Sequence, residues 1–88
     1  MTKRVLITGA SRGIGFALTK LFLERGYKVI GACRIGKIEN LFHPNLEVIE
    51  LDLSDSSSIR DAAKILKKKS KIDILINNRL FTKIMQND

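Results

Sequence analysis

Residues 5–15 read Val-Leu-Ile-Thr-Gly-Ala-Ser-Arg-Gly-Ile-Gly, an apolar run that breaks into glycines at 9, 13 and 15. This is the most constraining stretch of the chain. It predicts a strand, a tight glycine-rich turn and the first turn of a helix. A helix N-terminus presents unpaired backbone N–H groups and a partial positive charge, which together favour a phosphate. Glycines let the backbone approach a pyrophosphate and let the helix pack against the strand before it. The stretch therefore points to a dinucleotide, and the fold begins with it.

The rest of the chain alternates in the same way. Arg4–Thr8 reads as strand 1, apolar on both faces as a buried parallel strand should be. Gly13–Arg25 reads as helix 1, with an inward face of Ile14, Leu18, Leu21 and Phe22 beside Ala17. Gly26 is placed as a left-handed C-cap. Lys28–Cys33 is strand 2, Ile38–Phe42 a short helical turn broken by His43-Pro44-Asn45, and Leu46–Leu51 strand 3. Ser54 to Ser58 supply N-cap candidates for helix 2, which runs to about Lys69 with Ile59, Ala62, Ala63 and Leu66 inward. Ile72–Asn77 is strand 4. Such alternation predicts right-handed βαβ units, a parallel sheet and helices on both faces.

With 88 residues there is room for one small domain, and 44% apolar against 28% charged residues argues against disorder. The single cysteine, Cys33, excludes an intrachain disulfide framework and a multi-cysteine zinc site. It reads as a small apolar group at a strand end. No metal site is expected. No apolar run approaches the roughly 20 residues needed to span a bilayer, and the N-terminus lacks a cleavage signal, so no membrane partner and a cytoplasmic location are expected.

The net charge is +7, concentrated at Lys64, Lys67, Lys68, Lys69 and Lys71, with Arg12, Arg34 and Lys37 as a looser group. The lysine run reads as a solvated helix end whose cations complement the dipole. No aromatic residue interleaves with it as a stacking platform would, so no nucleic-acid partner is expected. His43 reads as a loop residue, and Asp55 with its neighbouring serines as caps.

Beyond the turn, Leu51-Asp52-Leu53 and Asp73-Ile-Leu-Ile-Asn77-Asn78 complete a pattern. Together with Thr8-Gly-Ala-Ser-Arg-Gly-Ile-Gly15, they make residues 3–78 resemble the N-terminal half of a short-chain dehydrogenase/reductase. Val29–Arg34 and Asn45–Leu53 are most similar to its carbonyl-reductase-like branch, which includes the sniffer and C-factor proteins. The resemblance implies a Rossmann-type α/β sheet truncated to about four strands, in the order 3-2-1-4. It also implies a cofactor-binding set. Gly9, Gly13 and Gly15 line the pyrophosphate, and Ser11, Arg12 and Ile14 wall the turn. Asp52 and the Leu53 backbone meet the adenine. Asn77 steadies the sheet near the adenine-side ribose.

The choice of cofactor follows from charge. An acidic residue about twenty positions past the glycines hydrogen-bonds a ribose 2′-hydroxyl and repels a 2′-phosphate. Here Arg34 stands nineteen residues after Gly15, with no carboxylate beside it, and Arg12 is a second guanidinium on the same side. Two guanidinium groups suit a phosphate dianion. NADP is expected in preference to NAD.

The chain also departs from the family. The usual Asn-Asn-Ala-Gly becomes Asn77-Asn78-Arg79-Leu80, which puts close approach of the nicotinamide half in doubt, and residues 79–88 form a divergent tail. The family's catalytic serine and Tyr-x-x-x-Lys pair have no counterpart: the one tyrosine, Tyr27, has Gly31 four positions on. No catalytic residue is assigned. Two readings stand: the cofactor-binding piece of an incomplete reductase, or a nucleotide-binding regulatory module acting with a partner chain. In either, strand 4 is an exposed edge, and a marginally stable, self-associating chain is expected.

Overall fold

In the computed structural model, which describes residues 2–69 and 71–78, the elements run β1 (Arg4–Thr8), α1 (Gly13–Glu24), β2 (Lys28–Cys33), β3 (Leu46–Glu50), α2 (Ser56–Lys67) and β4 (Ile74–Asn77). The four strands form one parallel sheet in the order β3-β2-β1-β4, a Rossmann-type arrangement. Strand β1 lies between β2 and β4, in register Thr8↔Ala32 on one side and Thr8↔Asn77 on the other. The chain steps from β1 to β2 to β3 and then crosses back over the sheet to β4. The gap between β1 and β4 is thus a topological switch point, where ligands of open α/β sheets bind.

The strand residues alternate between two cores. Val5, Ile7, Val29 and Cys33 face α1 and pack with Leu23, Ala10 and Ile38. Leu6, Ile30, Ala32 and Ile49 face α2 and pack with Ala62. The helices therefore cover opposite faces, as the double apolar character of β1 and β2 demands. Ile7 and Val5 are wholly buried. Truncating such a residue to alanine costs about 2–5 kcal/mol, a large share of a small domain's stability.

Several expected details are corrected. The buried stripe of α1 is Gly15, Thr19 and Leu23, with Phe16, Leu18 and Phe22 partly covered; Ile14 and Leu21 are exposed, and so is Ala17. An apolar count overlooks this stripe because two of its members are small or polar. Thr19 can be buried because its hydroxyl donates to the Gly15 carbonyl at 2.8 Å. In α2, Ala62 is buried and Leu66 partly so, whereas Ile59 and Ala63 are exposed. The helix touches the sheet along a narrower stripe than its apolar face offers.

Residues 38–42 form no helix. Ile38 instead drops into the core against Gly31, where its Cδ1 lies 3.1 Å from the place a Cβ would take, and Asn40 turns the chain at φ 60°. His43 organises the following turn, its Nδ1 accepting the Asn45 N–H at 3.0 Å. Strand β4 begins at Ile74 rather than Ile72; Asp73, just before it, ties the strand's start to Arg4, its N–H donating to the Arg4 carbonyl at 2.9 Å and its carboxylate accepting the Arg4 N–H at 2.9 Å. The expectations for Arg79, Leu80 and the tail to residue 88 lie outside the described residues.

The two sheet edges differ in chemistry. Strand β3 carries Glu47 and Glu50, and Glu47 forms an ion pair with Lys69. Strand β4 reads Ile-Leu-Ile-Asn, without charge, proline or glycine, and Leu75 is 64% exposed. Among the described residues β4 pairs with β1 alone. Charged edge strands resist further pairing; uncharged apolar ones invite it.

Candidate functional site

Sheet register brings four separate sequence segments to one rim. Gly9 follows the end of β1, and Ala10 N donates to the Ala32 carbonyl of β2 at 3.1 Å. Arg34 is the first residue beyond β2, and Leu51 N donates to the Cys33 carbonyl beside it at 2.8 Å. Asp52 and Leu53 come next, and Asn77 ends β4 opposite Thr8. The ten residues singled out in sequence, Gly9, Ser11, Arg12, Gly13, Ile14, Gly15, Arg34, Asp52, Leu53 and Asn77, thus all lie at the carboxyl ends of the strands. Two shallow hollows, lined by Arg4, Lys28, Val29, Pro44, Asn45 and Glu47 and by Thr2, Lys3, Arg25, Gly26 and Tyr27, sit at the opposite rim.

The turn is built by conformations that glycine permits. Gly9 and Gly13 have φ of 63° and 61°, in the left-handed region that costs other residues about 1–2 kcal/mol. Around Gly13 no atom lies within 4 Å of where a Cβ would stand, so the turn is open toward solvent there. Gly15 is the reverse case. A Cβ on it would come 1.9 Å from the Gly9 carbonyl oxygen, so its bare backbone lets the helix start lie directly on the turn.

The two helix N-termini contrast. At α2, Asp55 caps the helix, its carboxylate accepting from Ser57 N at 2.9 Å and Ser58 N at 3.4 Å. The Ser57 hydroxyl also donates to it at 2.8 Å, and these bonds, the Ser57 side chain first, hold the Asp55 carboxyl below the ordinary carboxylate range. At α1 the N-cap residue is Arg12, whose side chain makes no capping bond, and the first turn has no acidic residue. Its N–H groups and the positive end of its dipole are available to an anion. Arg12 and Arg34 are both exposed and form no ion pair with an acid among the described residues.

Asp52 is partly buried; its carboxylate accepts from Ser54 N at 3.0 Å and from the Ser54 hydroxyl at 2.6 Å, while its own N–H donates to the Ser58 hydroxyl at 2.8 Å. Asn77 is exposed, its side-chain oxygen accepting from the Thr8 hydroxyl at 3.1 Å. Cys33 is buried, its thiol 3.4 Å from the Lys37 carbonyl. Tyr27 lies at the far end of the sheet, edge-on to Phe22 at 4.9 Å between ring centres.

Sequence reasoning missed Asn78 and Thr8 as part of the site's construction. Asn78 is 4% exposed. Its backbone N–H donates to the Thr8 hydroxyl at 3.0 Å and its side-chain amide donates to the Gly9 carbonyl at 3.2 Å. The signal was present as a polar pair closing an apolar strand, but the sequence does not show which of the two asparagines turns inward.

The family model described as short chain dehydrogenase matches residues 3–82. The chain belongs to the short-chain dehydrogenase family. It is 41% identical over 75 residues to an uncharacterized oxidoreductase of Schizosaccharomyces pombe, covering 84% of this chain and 26% of that protein. It is 34% identical over 79 residues to an NADP-dependent 3-hydroxy acid dehydrogenase of Escherichia coli, covering 84% of this chain and 32% of that one. Among solved structures, a short-chain dehydrogenase from Leptospira borgpetersenii with bound NAD+ superposes with a TM-score of 0.75 at 28% identity, covering 88% of this chain and 31% of the other. This short-chain dehydrogenase chain thus spans about a quarter to a third of the length of those relatives.

Proposed function

We propose that residues 3–78 are the cofactor-binding portion of an NADP(H)-dependent short-chain oxidoreductase, and that its rim binds the adenine-ribose-phosphate half of the dinucleotide. The observation that carries this is the open N-terminus of α1, set on a turn with Gly9 and Gly13 in left-handed conformations and flanked by Arg12 and Arg34. The pyrophosphate lies over the turn and takes the first N–H groups of α1. Arg12 and Arg34 hold a 2′-phosphate by charge-assisted bonds. Asp52 and Leu53, at the β3 end of the rim, meet the adenine, and Asn77 borders the adenine-side ribose. The fit rests on the space left at Gly13, where a side chain would project into the opening.

A bound nicotinamide dinucleotide supplies a transferable hydride, exchanged in a complete enzyme with a small carbonyl or alcohol as in the carbonyl-reductase-like branch. This chain's residues bind and orient it. With no Tyr-x-x-x-Lys pair in the sequence, residues 1–88 alone are expected to bind the dinucleotide weakly and to turn nothing over. The NADP-dependent relative supports the 2′-phosphate reading, while the NAD+-bound neighbour makes the preference a matter for measurement. Fluorescence titration with NADPH and NADH tests it: tighter NADPH binding is expected, and tighter NADH binding overturns it.

A second reading, a nucleotide-binding module that acts with a partner or with its own copies through β4, is favoured by the uncharged edge and the exposed Leu75. Carbonyl-dependent NADPH oxidation by the purified chain would count against both.

A further inference from the structure

The strand that completes the glycine-rich turn is the shortest strand among the described residues. Strand β4 has four residues, pairs with β1 alone among the described residues, and has no fully buried side chain: Ile74 and Ile76 are half-buried, Leu75 and Asn77 exposed. Yet Asn78, immediately after it, is buried against the turn. Its side-chain amide reaches the Gly9 carbonyl at 3.2 Å and stands 2.8 Å from where a Cβ on Gly15 would be. Its backbone N–H meets the Thr8 hydroxyl, which in turn donates to the Asn77 side-chain oxygen at 3.1 Å.

Asn78 therefore lies against both of the glycines whose close contact sets the shape of the turn. When β4 leaves the sheet, the Gly9 carbonyl loses this donor and the turn loses the side chain packed beside it and the helix start. We infer that docking of β4 and binding of the dinucleotide phosphates form one coupled equilibrium, with Asn78 the positioning residue that transmits it. The inference rests on the reading of the turn as a dinucleotide site and goes beyond it. The ligand binds the docked form, so it holds β4 in place; conversely, loosening β4 lowers the competent fraction and weakens apparent affinity in proportion. On β3, the other edge, the ion pair from Glu47 to Lys69 lies at the opposite rim, away from the glycine-rich turn.

Hydrogen exchange of the β4 amides in the full chain, with and without NADPH, tests the coupling alongside direct titration of binding. At a ligand concentration about 100-fold above Kd, the opened population falls about 100-fold, so β4 exchange slows by up to that factor. Two variants far from the turn supply the reciprocal test. Asp73→Ala removes the side-chain member of the two hydrogen bonds that tie the start of β4 to Arg4, and Ile74→Ala removes packing at the same end. Each is expected to speed β4 exchange and to weaken NADPH binding by the factor 1/f, where f is its docked fraction, whereas Glu47→Ala on β3 leaves affinity unchanged. Binding without slowed β4 exchange, or an affinity that does not follow the docked fraction across the variants, overturns the inference alone. Absence of any NADPH binding overturns the reading of the site itself, and the inference with it.

Discussion

Gly15 stands so close to Gly9 that a Cβ on it would come within 1.9 Å of the Gly9 carbonyl oxygen. Backbone cannot move aside as a flexible side chain can. Gly15→Ala is therefore expected to cost about 3 kcal/mol, at the upper end of overpacking penalties, and to lower Tm by roughly 10 °C or more. Gly13→Ala meets no neighbour and strains only φ, so its cost is about 1–2 kcal/mol. Thermal melts of the two variants check the order; equal losses would show that the contact does not matter.

Charge at Arg34 should decide between the dinucleotides. A charge-assisted bond to a phosphate is worth about 1.5–3 kcal/mol, so Arg34→Asp is expected to weaken NADPH binding by about 10- to 100-fold. The new carboxylate suits a 2′-hydroxyl, so NADH binding holds or improves. Parallel titrations read the ratio, and an unchanged ratio would remove Arg34 from the site.

Asp55 makes α2 sensitive to acid. Its carboxyl titrates below the ordinary range because the Ser57 hydroxyl and the Ser57 and Ser58 N–H groups donate to its charged form. A carboxyl whose folded pKa is depressed contributes stability that is fully present above its unfolded value, near 4, and is lost as pH falls through the lower folded value. Asp55→Ala should lower Tm by a few degrees at pH 7, and the gap to the parent chain should close below about pH 4. Circular dichroism melts across pH would expose the idea as mistaken if the gap stayed constant down to pH 2.

Leu75 is the exposed centre of an uncharged edge strand. Leu75→Lys places a charge there without disturbing a buried contact, and is expected to reduce concentration-dependent association measured by sedimentation. A parent chain that stays monomeric over the same range would leave the edge without a role in assembly.

Much of this was legible in sequence, and the reasons differ by element. Strands β1 and β2 matched to the residue because each opens on a charged residue, Arg4 or Lys28, continues as an apolar stretch, broken in β2 only by Gly31, and stops before Gly9 or Arg34. The order of the strands came from the family resemblance and the rim positions from the motifs. Helix α1 was found, but its buried stripe was not, since Gly15 and Thr19 are inward for reasons of close approach and a local hydrogen bond that apolar counting does not register. Residues 38–42 have helical spacing, yet Ile38 gains more by packing on Gly31 than a short turn would gain from its own bonds. Asn78 escaped notice because its importance lies in a contact across 69 residues of chain.

That separation has a consequence in time. The glycine-rich turn is made about seventy residues before the groups that close it, Asn77 and Asn78. A nascent chain emerging from the ribosome carries an unfinished turn for the whole of that interval. It reaches its shape only when β4 arrives to finish what β1 began.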